Sequence, residues 1–310
     1  MPLTRDEVTW CYQTILHRSP ENIDVINNFV AQVPDLTTLV NIFLASNEYR
    51  LRVGATVLDG YVYDVNQATQ TAALAILKKL EPVSITGHRK IRIGGAGDGG
   101  YVMLDEFQDV EAAYSLGIKD DVTWDLDIAK RNIPVFQYDH TIDALPAQHQ
   151  LFHWFKTGIA AAPAAGYDTL QNLIEKNGHQ NSKNLLLKCD IEGAEWDMFG
   201  LIPQKRLDQF GQIVAEFHGW QEIHRAEFAA IVERAVSKLT ASHRLVHVHG
   251  NNNSALAIVG GIALPASMEM TFIRTAGRPF TRCEETFPGA LDTPCWPHRA
   301  DYHLGTFRFS

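Results

Sequence analysis

The chain has 310 residues, 45% of them hydrophobic, which is enough to bury a sizeable core in one large domain with an appendage or in two modest ones. Its 36 acidic residues against 27 basic ones give a formal charge of −9 and no overall electrostatic footprint for a nucleic-acid backbone. No run approaches the roughly 20 apolar residues of a membrane helix, and the N-terminal "MPLTRDEVTWCYQ" lacks the apolar core of a signal peptide, so no integral membrane segment and a cytoplasmic location are expected.

Residues 4 to 50 carry apolar residues at helical spacing. "TRDEVTWCYQTILHRSP" opens with a Thr-x-x-Glu capping box, Thr4 to Glu7, and Pro20 ends it. "ENIDVINNFVAQVP" and "DLTTLVNIFLASNEYR" follow, with Pro34 between them and Asp35 placed to cap the second. A small antiparallel helical module over 1–52 is expected. A connecting helix over 53–82 follows, read from "VYDVNQATQTAALAILKKL" before Pro82.

From 83 to 310 the pattern changes to short β-rich runs alternating with helical stretches. The runs are "EAAYSLGI", "PVFQYD", "LFHWFKTGI", "NLLLKCD", "QIVAEFH", "RLVHVHG" and "MEMTFIR". Apolar strands separated by helices imply a mostly parallel sheet covered on both faces. "ALAIVGGIALP" reads as a hairpin around Gly260 and Gly261, so the last strand should enter the sheet through a tight connection. Cys11, Cys189, Cys283 and Cys295 form no C-x-x-C pair, so reduced thiols are expected.

In an open α/β sheet, ligands bind beyond the carboxyl ends of the strands, near the point where strand order reverses. That rule points to Gly117 to Asp121, Asp139, Gly158, Asp190 to Glu195, Glu216 to His218 and His247 to Asn253. Asp139 lies 22 positions after Gly117, near the offset of about 20 at which an acid caps a ribose. "LGIKDDVTWD" lacks G-x-G-x-x-G and so offers no glycine cradle for a pyrophosphate. A nucleoside such as S-adenosylmethionine fits that combination better than NAD. The plain alternative is that Asp120 and Asp121 cap a helix and Asp139 merely ends a strand. Upstream, "RKIRIGGAGDGGYVMLDE" is glycine-dense, which suits either a flexible turn or backbone that approaches a ligand closely.

Together these segments resemble the FkbM-type class I methyltransferases, in particular a branch with an Arg-x-Gly-x-x-x-Asp-Gly-Gly-Tyr entry. Here the entry is Arg92, Gly94, Asp98, Gly99, Gly100 and Tyr101 in "RIGGAGDGGYV". "AYSLGIKDDVTWDLDIAKR", "VFQYDHT", "KCDIEGAEW", "IVAEFHG" and "VHVHGNN" follow in the branch's order. The resemblance runs from about 84 to 275 and extends into "LDTPCWPHRADYHL", where Cys295 stands in place of an expected Asn. It implies a Rossmann-like, seven-stranded, mostly parallel sheet preceded by the all-helical module. It also implies S-adenosylmethionine as methyl donor and a hydroxyl acceptor on a sugar, a polysaccharide or another glycosylated small molecule. The donor-binding residues it suggests are Arg92, Asp98, Gly99, Gly100, Tyr101, Gly117, Asp121, Asp139 and Gly158. The N-terminal residues "YQTILHRSPENIDVINNFVAQ" and "FLASNEYR" resemble phycobilisome-linker-like modules that accompany bacterial glycosyltransferases and methyltransferases, which implies docking onto a protein partner; a helical cap for the neighbouring domain is the alternative.

Methyl transfer to a hydroxyl needs alignment and either a base or a metal that acidifies the hydroxyl. Strand alternation puts Glu216 and His218 on one face, and His247 and His249 likewise. Asp190 is expected at the reacting centre, with Glu192 as a further candidate and Glu195 read as a favourable charge at a helix N-terminus. Asp190, Glu216, His218 and His249 could together hold Mg²⁺ or Mn²⁺. Otherwise His218 or His249 would be the general base. Trp220 and Trp296 are the aromatics that could flank an acceptor ring. A non-catalytic scaffold subunit of a polysaccharide assembly system and an NAD-dependent sugar oxidoreductase are the rival functions.

Overall fold

The computed structural model describes residues 2–16, 18–46, 48–49 and 62–309. The chain divides into two units, Met1–Asp59 and Gly60–Ser310. The boundary expected between residues 52 and 53 lies outside the described residues, as do Asn47 and Arg50 of "FLASNEYR".

In the first unit, helices α1 (Arg5–Thr14), α2 (Ile23–Gln32) and α3 (Leu36–Leu44) each begin at a side-chain cap. The Thr4 hydroxyl and the Glu7 carboxylate form the expected reciprocal capping box. Asn22 accepts from the Asp24 and Val25 amides, and Asp35 accepts from the Thr38 amide. Val8, Cys11, Leu39 and Phe43 bury into a small core in which the Tyr12 and Phe43 rings meet edge-on at 4.8 Å.

The second unit begins its regular structure with α4 (Gln67–Leu77), whose Ala73, Ile76 and Leu77 are buried in the same core as the central sheet. The helix expected as a connector is thus one wall of the main domain.

The central sheet contains β1 (Ala112–Leu116), β2 (Val135–Tyr138), β3 (Phe152–Phe155), β4 (Leu185–Cys189), β5 (Phe210–His218), β6 (His243–Gly250) and β7 (Ser267–Arg274). Its order is β6-β7-β5-β4-β1-β2-β3. β3, β2, β1, β4 and β5 pair in parallel, while β7 is antiparallel to both β5 and β6. Both faces are covered, as the apolar character of the strands requires. On one face Ala113, Val135, Leu186 and Val214 pack beneath Trp124 and Ile128 of α5 (Thr123–Ala129). On the other, Tyr114, Leu187, Ile213 and Ala215 pack with α4, α6 (Leu170–Lys176), α7 (Glu195–Leu201) and the long α8 (Ala226–Ser242).

Among the described residues four two-stranded ribbons accompany the sheet, and two of them matter for the site. Lys90–Ile93 and Tyr101–Leu104 pair antiparallel around the glycine-dense loop. Leu256–Val259 and Ile262–Pro265 form the expected hairpin as a ribbon of their own, from which the chain passes directly into β7. At its tip Gly260 has φ +58°, and a Cβ there would lie 2.3 Å from the Gln70 amide nitrogen, so only glycine fits.

Candidate functional site

The chain adds β2 and β3 on one side of β1 and then returns to place β4 on the other, so strand order reverses between β1 and β4. The carboxyl ends of these two strands lie in tight contact. The Asp190 amide donates to the Leu116 carbonyl at 2.9 Å, and a Cβ on Gly117 would lie 1.6 Å from the Asp190 carbonyl oxygen. Gly117 also has φ +78°, so glycine is required there twice over. Lys188, buried in β4, donates from Nζ to the Gly117 carbonyl at 2.6 Å and fixes the end of β1 from the neighbouring strand.

Beyond β4, α7 begins at Glu195, whose side chain is fully buried. The Glu195 carboxylate accepts from the Ile191 amide at 2.9 Å and the Gly193 amide at 2.9 Å, closing the turn "DIEGAE" around itself. It also accepts from His218 Nδ1 at 3.2 Å. This fixes the ring so that Nε2 points among three more carboxylates, with Glu216 Oε1 at 3.5 Å, Glu192 Oε2 at 3.6 Å and Asp190 Oδ1 at 3.9 Å. Burial alone would lower the His218 pKa, but the Glu195 hydrogen bond and the surrounding negative charges raise it well above the ordinary imidazole value. Burial raises the Asp190 and Glu216 carboxyls, Glu216 further through the charge of Asp190, while Lys188 and His218 pull Asp190 back down. Asp190 Oδ1 is buried and has no hydrogen-bond partner. Glu192 is exposed and holds φ +56°, a left-handed conformation uncommon outside glycine.

Asp190, Glu216 and His218 therefore converge, with ligand atoms within 4.8 Å of one another. His249 does not join them. β7 lies between β5 and β6, so Glu269 stands directly opposite both Glu216 and His249 in the ladders. His249 Nδ1 pairs with Glu269 Oε2 at 2.8 Å, and Nε2 pairs with Asp301 Oδ2 at 2.9 Å, which occupies both ring nitrogens. Burial would lower its pKa, yet the Glu269 and Asp301 hydrogen bonds and the Glu269 charge raise it to about 9. The four-residue set expected from the sequence is thus split, and His249 is closed off both as a ligand to that centre and as a free base. Cys295 donates its thiol to Glu269 Oε1 at 3.5 Å, which places the C-terminal segment over β7.

The glycine-dense loop is held from within. Arg92 donates to the Gly95 and Gly97 carbonyls at 2.7 Å each, so its guanidinium is committed to the loop. Positions 99 and 100 are closely packed: a Cβ on Gly99 would lie 2.8 Å from Asp121 Oδ2, and one on Gly100 would lie 2.1 Å from the Gly95 carbonyl oxygen. Asp121 Oδ1 accepts from the Thr123 amide two residues on at 2.6 Å, while the N-cap of α5 is Val122 and makes no side-chain cap bond. The loop brings Asp98 to the acidic cluster, where burial and the charge of Glu269 raise its pKa although the residue stays open to solvent. Tyr101 is 1% exposed and its hydroxyl has no partner. Asp139 is buried, and both its oxygens are taken by backbone near its own loop: Oδ2 accepts from the Ile118 and Lys119 amides at 2.8 Å, and Oδ1 from the Thr141 amide at 2.7 Å. Those bonds outweigh burial and lower its pKa. Gly158 is packed against the Tyr167 ring and His140. Trp220 is fully buried against Trp196 with ring centroids 5.0 Å apart, whereas Trp296 is 44% exposed.

No family model matches the chain, and no curated protein matches it. One solved structure, titled "Putative hemolysin from Streptococcus thermophilus", is similar at a TM-score of 0.32 and 12% identity, over 58% of this chain and 72% of that chain.

Glu269, Asp301 and the orienting role of Glu195 are the parts of the site that the sequence reading did not assign. A glutamate inside the apolar run "SMEMTFIR" was the available signal for the first. Among the described residues no helix is long and apolar enough to cross a membrane.

Proposed function

We propose that the chain is an S-adenosylmethionine-dependent O-methyltransferase acting on a hydroxyl of a sugar, a polysaccharide or another glycosylated small molecule, assisted by a divalent cation. The observation that carries this reading is the convergence of Asp190, Glu216 and His218 at the strand ends beside the order reversal, where α/β sheets bind ligands. The ordered segments from "RIGGAGDGGYV" to "VHVHGNN" support the donor. Asp139 is not assigned to its ribose, because both oxygens already serve the backbone.

The residues present fit a cation. Asp190 offers a buried oxygen with no partner, and Glu195 holds His218 Nδ1 so that Nε2 faces the acids. A histidine whose second nitrogen is bound by a carboxylate is the usual arrangement of a metal-ligating imidazole. Mg²⁺ or Mn²⁺ bound there would lower the pKa of an acceptor hydroxyl. The N-terminal unit is assigned to docking with a protein partner.

Calorimetry with S-adenosylhomocysteine and with NAD tests the donor, and release of S-adenosylhomocysteine from candidate glycosides tests the reaction. Chelation should stop turnover and Mn²⁺ should restore it, while Asp190→Asn should slow the chemical step far more than it weakens donor binding. Binding of NAD alone would replace this reading with the oxidoreductase, and binding of neither would favour the scaffold.

A further inference from the structure

Glu216 and Glu269 face each other across β5 and β7, 3% and 4% exposed. Like charges directly opposite in a ladder are destabilising, and burial increases the cost. Glu216 Oε1 is answered by Asn251 and Ser267, with His218 Nε2 3.5 Å away, and Glu269 by His249 and Cys295, so the two imidazoles lie to either side of the pair. Asp98 completes a triangle from the glycine-dense loop, its oxygen within 4.8 Å of those of Glu216 and Glu269.

An independent observation points to the same place. Tyr101 is buried at the foot of that loop, and its unpartnered hydroxyl lies in the field of Asp190, Glu216, Glu269 and Asp98. The large majority of buried side-chain polar atoms have a hydrogen-bond partner in protein or ordered water. A hydrated cation among the three acids would answer this one through its water shell.

We infer that Asp98, Glu216 and Glu269 bind a second divalent cation beside the one at Asp190, Glu216 and His218, with Glu216 shared between the two. The inference rests on the proposed reading of that first set as a cation site. The second set is all oxygen and selects a hard ion such as Mg²⁺ or Mn²⁺, while the imidazole in the first also admits softer metals. Two hard cations sharing Glu216 would each take an oxygen ligand from the acceptor. The acceptor class this favours is a vicinal diol or a hydroxy-carboxylate, one oxygen to each ion.

The test is a Mn²⁺ titration of the full chain by calorimetry and electron paramagnetic resonance, in the wild type, Asp98→Asn and His218→Ala. Asp98 is exposed on a loop, so its variant leaves folding intact. Two equivalents with a spin-coupled signal are expected in the wild type, and Asp98→Asn should weaken one of them at least about tenfold and abolish the coupling. A single equivalent, lost in His218→Ala and kept in Asp98→Asn, would overturn the second site and leave the first. A single equivalent with the reverse pattern would support the Asp98 site and overturn the first. Two equivalents indifferent to Asp98→Asn would remove Asp98 as a ligand and overturn the inference.

Discussion

Replacing Glu195 by Gln removes one charge and one acceptor oxygen from a side chain that currently holds three groups. The carboxylate is fully buried, with the Ile191 and Gly193 amides at 2.9 Å and His218 Nδ1 at 3.2 Å. A glutamine can keep its oxygen toward Ile191 and His218 only by turning its amide donors onto the Gly193 N–H, donor against donor. In the flipped orientation its NH₂ faces His218 and drives the imidazole proton to Nε2, the nitrogen that must be bare to take a cation. Substitutions of such orienting partners cost 10–100-fold in metal affinity, about 1.4 to 2.8 kcal/mol. The stranded Gly193 amide adds about 1 to 3 kcal/mol of lost stability, within reach of a domain stable by roughly 5 to 15 kcal/mol. Mn²⁺ affinity by calorimetry, with thermal melting as the folding control, is the assay. A folded Glu195→Gln protein with wild-type Mn²⁺ affinity would refute the claim that Glu195 orients a ligating His218.

Gly117→Ala should cost about 2 to 4 kcal/mol, from the left-handed backbone and the 1.6 Å approach to the Asp190 carbonyl, read as a lowered urea midpoint. Asp139→Ala should cost about 2 to 4 kcal/mol in the same experiment by stranding the Ile118 and Lys119 amides, and an unchanged midpoint with lost S-adenosylhomocysteine binding would instead return Asp139 to the ribose. His243 is fully buried, pairs through Nε2 with the Phe210 carbonyl at 2.9 Å, and is held down to about 4 by burial. Because the unfolded chain takes that proton first, near pH 6.5, His243 contributes its full stability above 6.5 and loses about 3 kcal/mol as pH falls toward 4. Urea unfolding of His243→Gln across that range should show a flatter dependence, and an equal slope would show that His243 does not drive it.

All seven central strands were legible, most because doubly covered strands are nearly continuous apolar runs, and the edge strand Phe152–Phe155 through its aromatic residues. The caps Thr4 and Asp35 were legible for a related reason, since a cap is local and its partner lies within three residues. Asp190, Glu216 and His218 could be placed at one sheet edge, because the ends of parallel strands share an edge whatever their order. The position of β7 could not be read, since strand neighbours depend on long-range pairing. That alone separates His249 from the expected set and brings in Glu269. Asp139 follows the same logic in reverse: its spacing suits a ribose, but the Ile118 and Lys119 amides reach it first. Asp301 gave no signal, because its partner is 52 residues away.

Since β7 runs against its neighbours, it delivers Glu269 near its beginning, immediately after the hairpin Leu256–Pro265, whereas β5 and β6 deliver Glu216 and His249 near their ends. The hairpin is therefore a ruler whose zero is pinned elsewhere: the Gly260 amide donates to Asp64 Oδ2 at 3.1 Å and the Gly261 amide to the Asp64 carbonyl at 2.8 Å. Lengthening the chain by one residue between Pro265 and Met268 would turn the carboxylate to the opposite face of the sheet and bring a methionine, Met268, opposite Glu216. For anyone inserting a tag, a reporter or a second domain, this hairpin is closed ground, although it is a glycine turn of the kind that ordinarily tolerates such grafts.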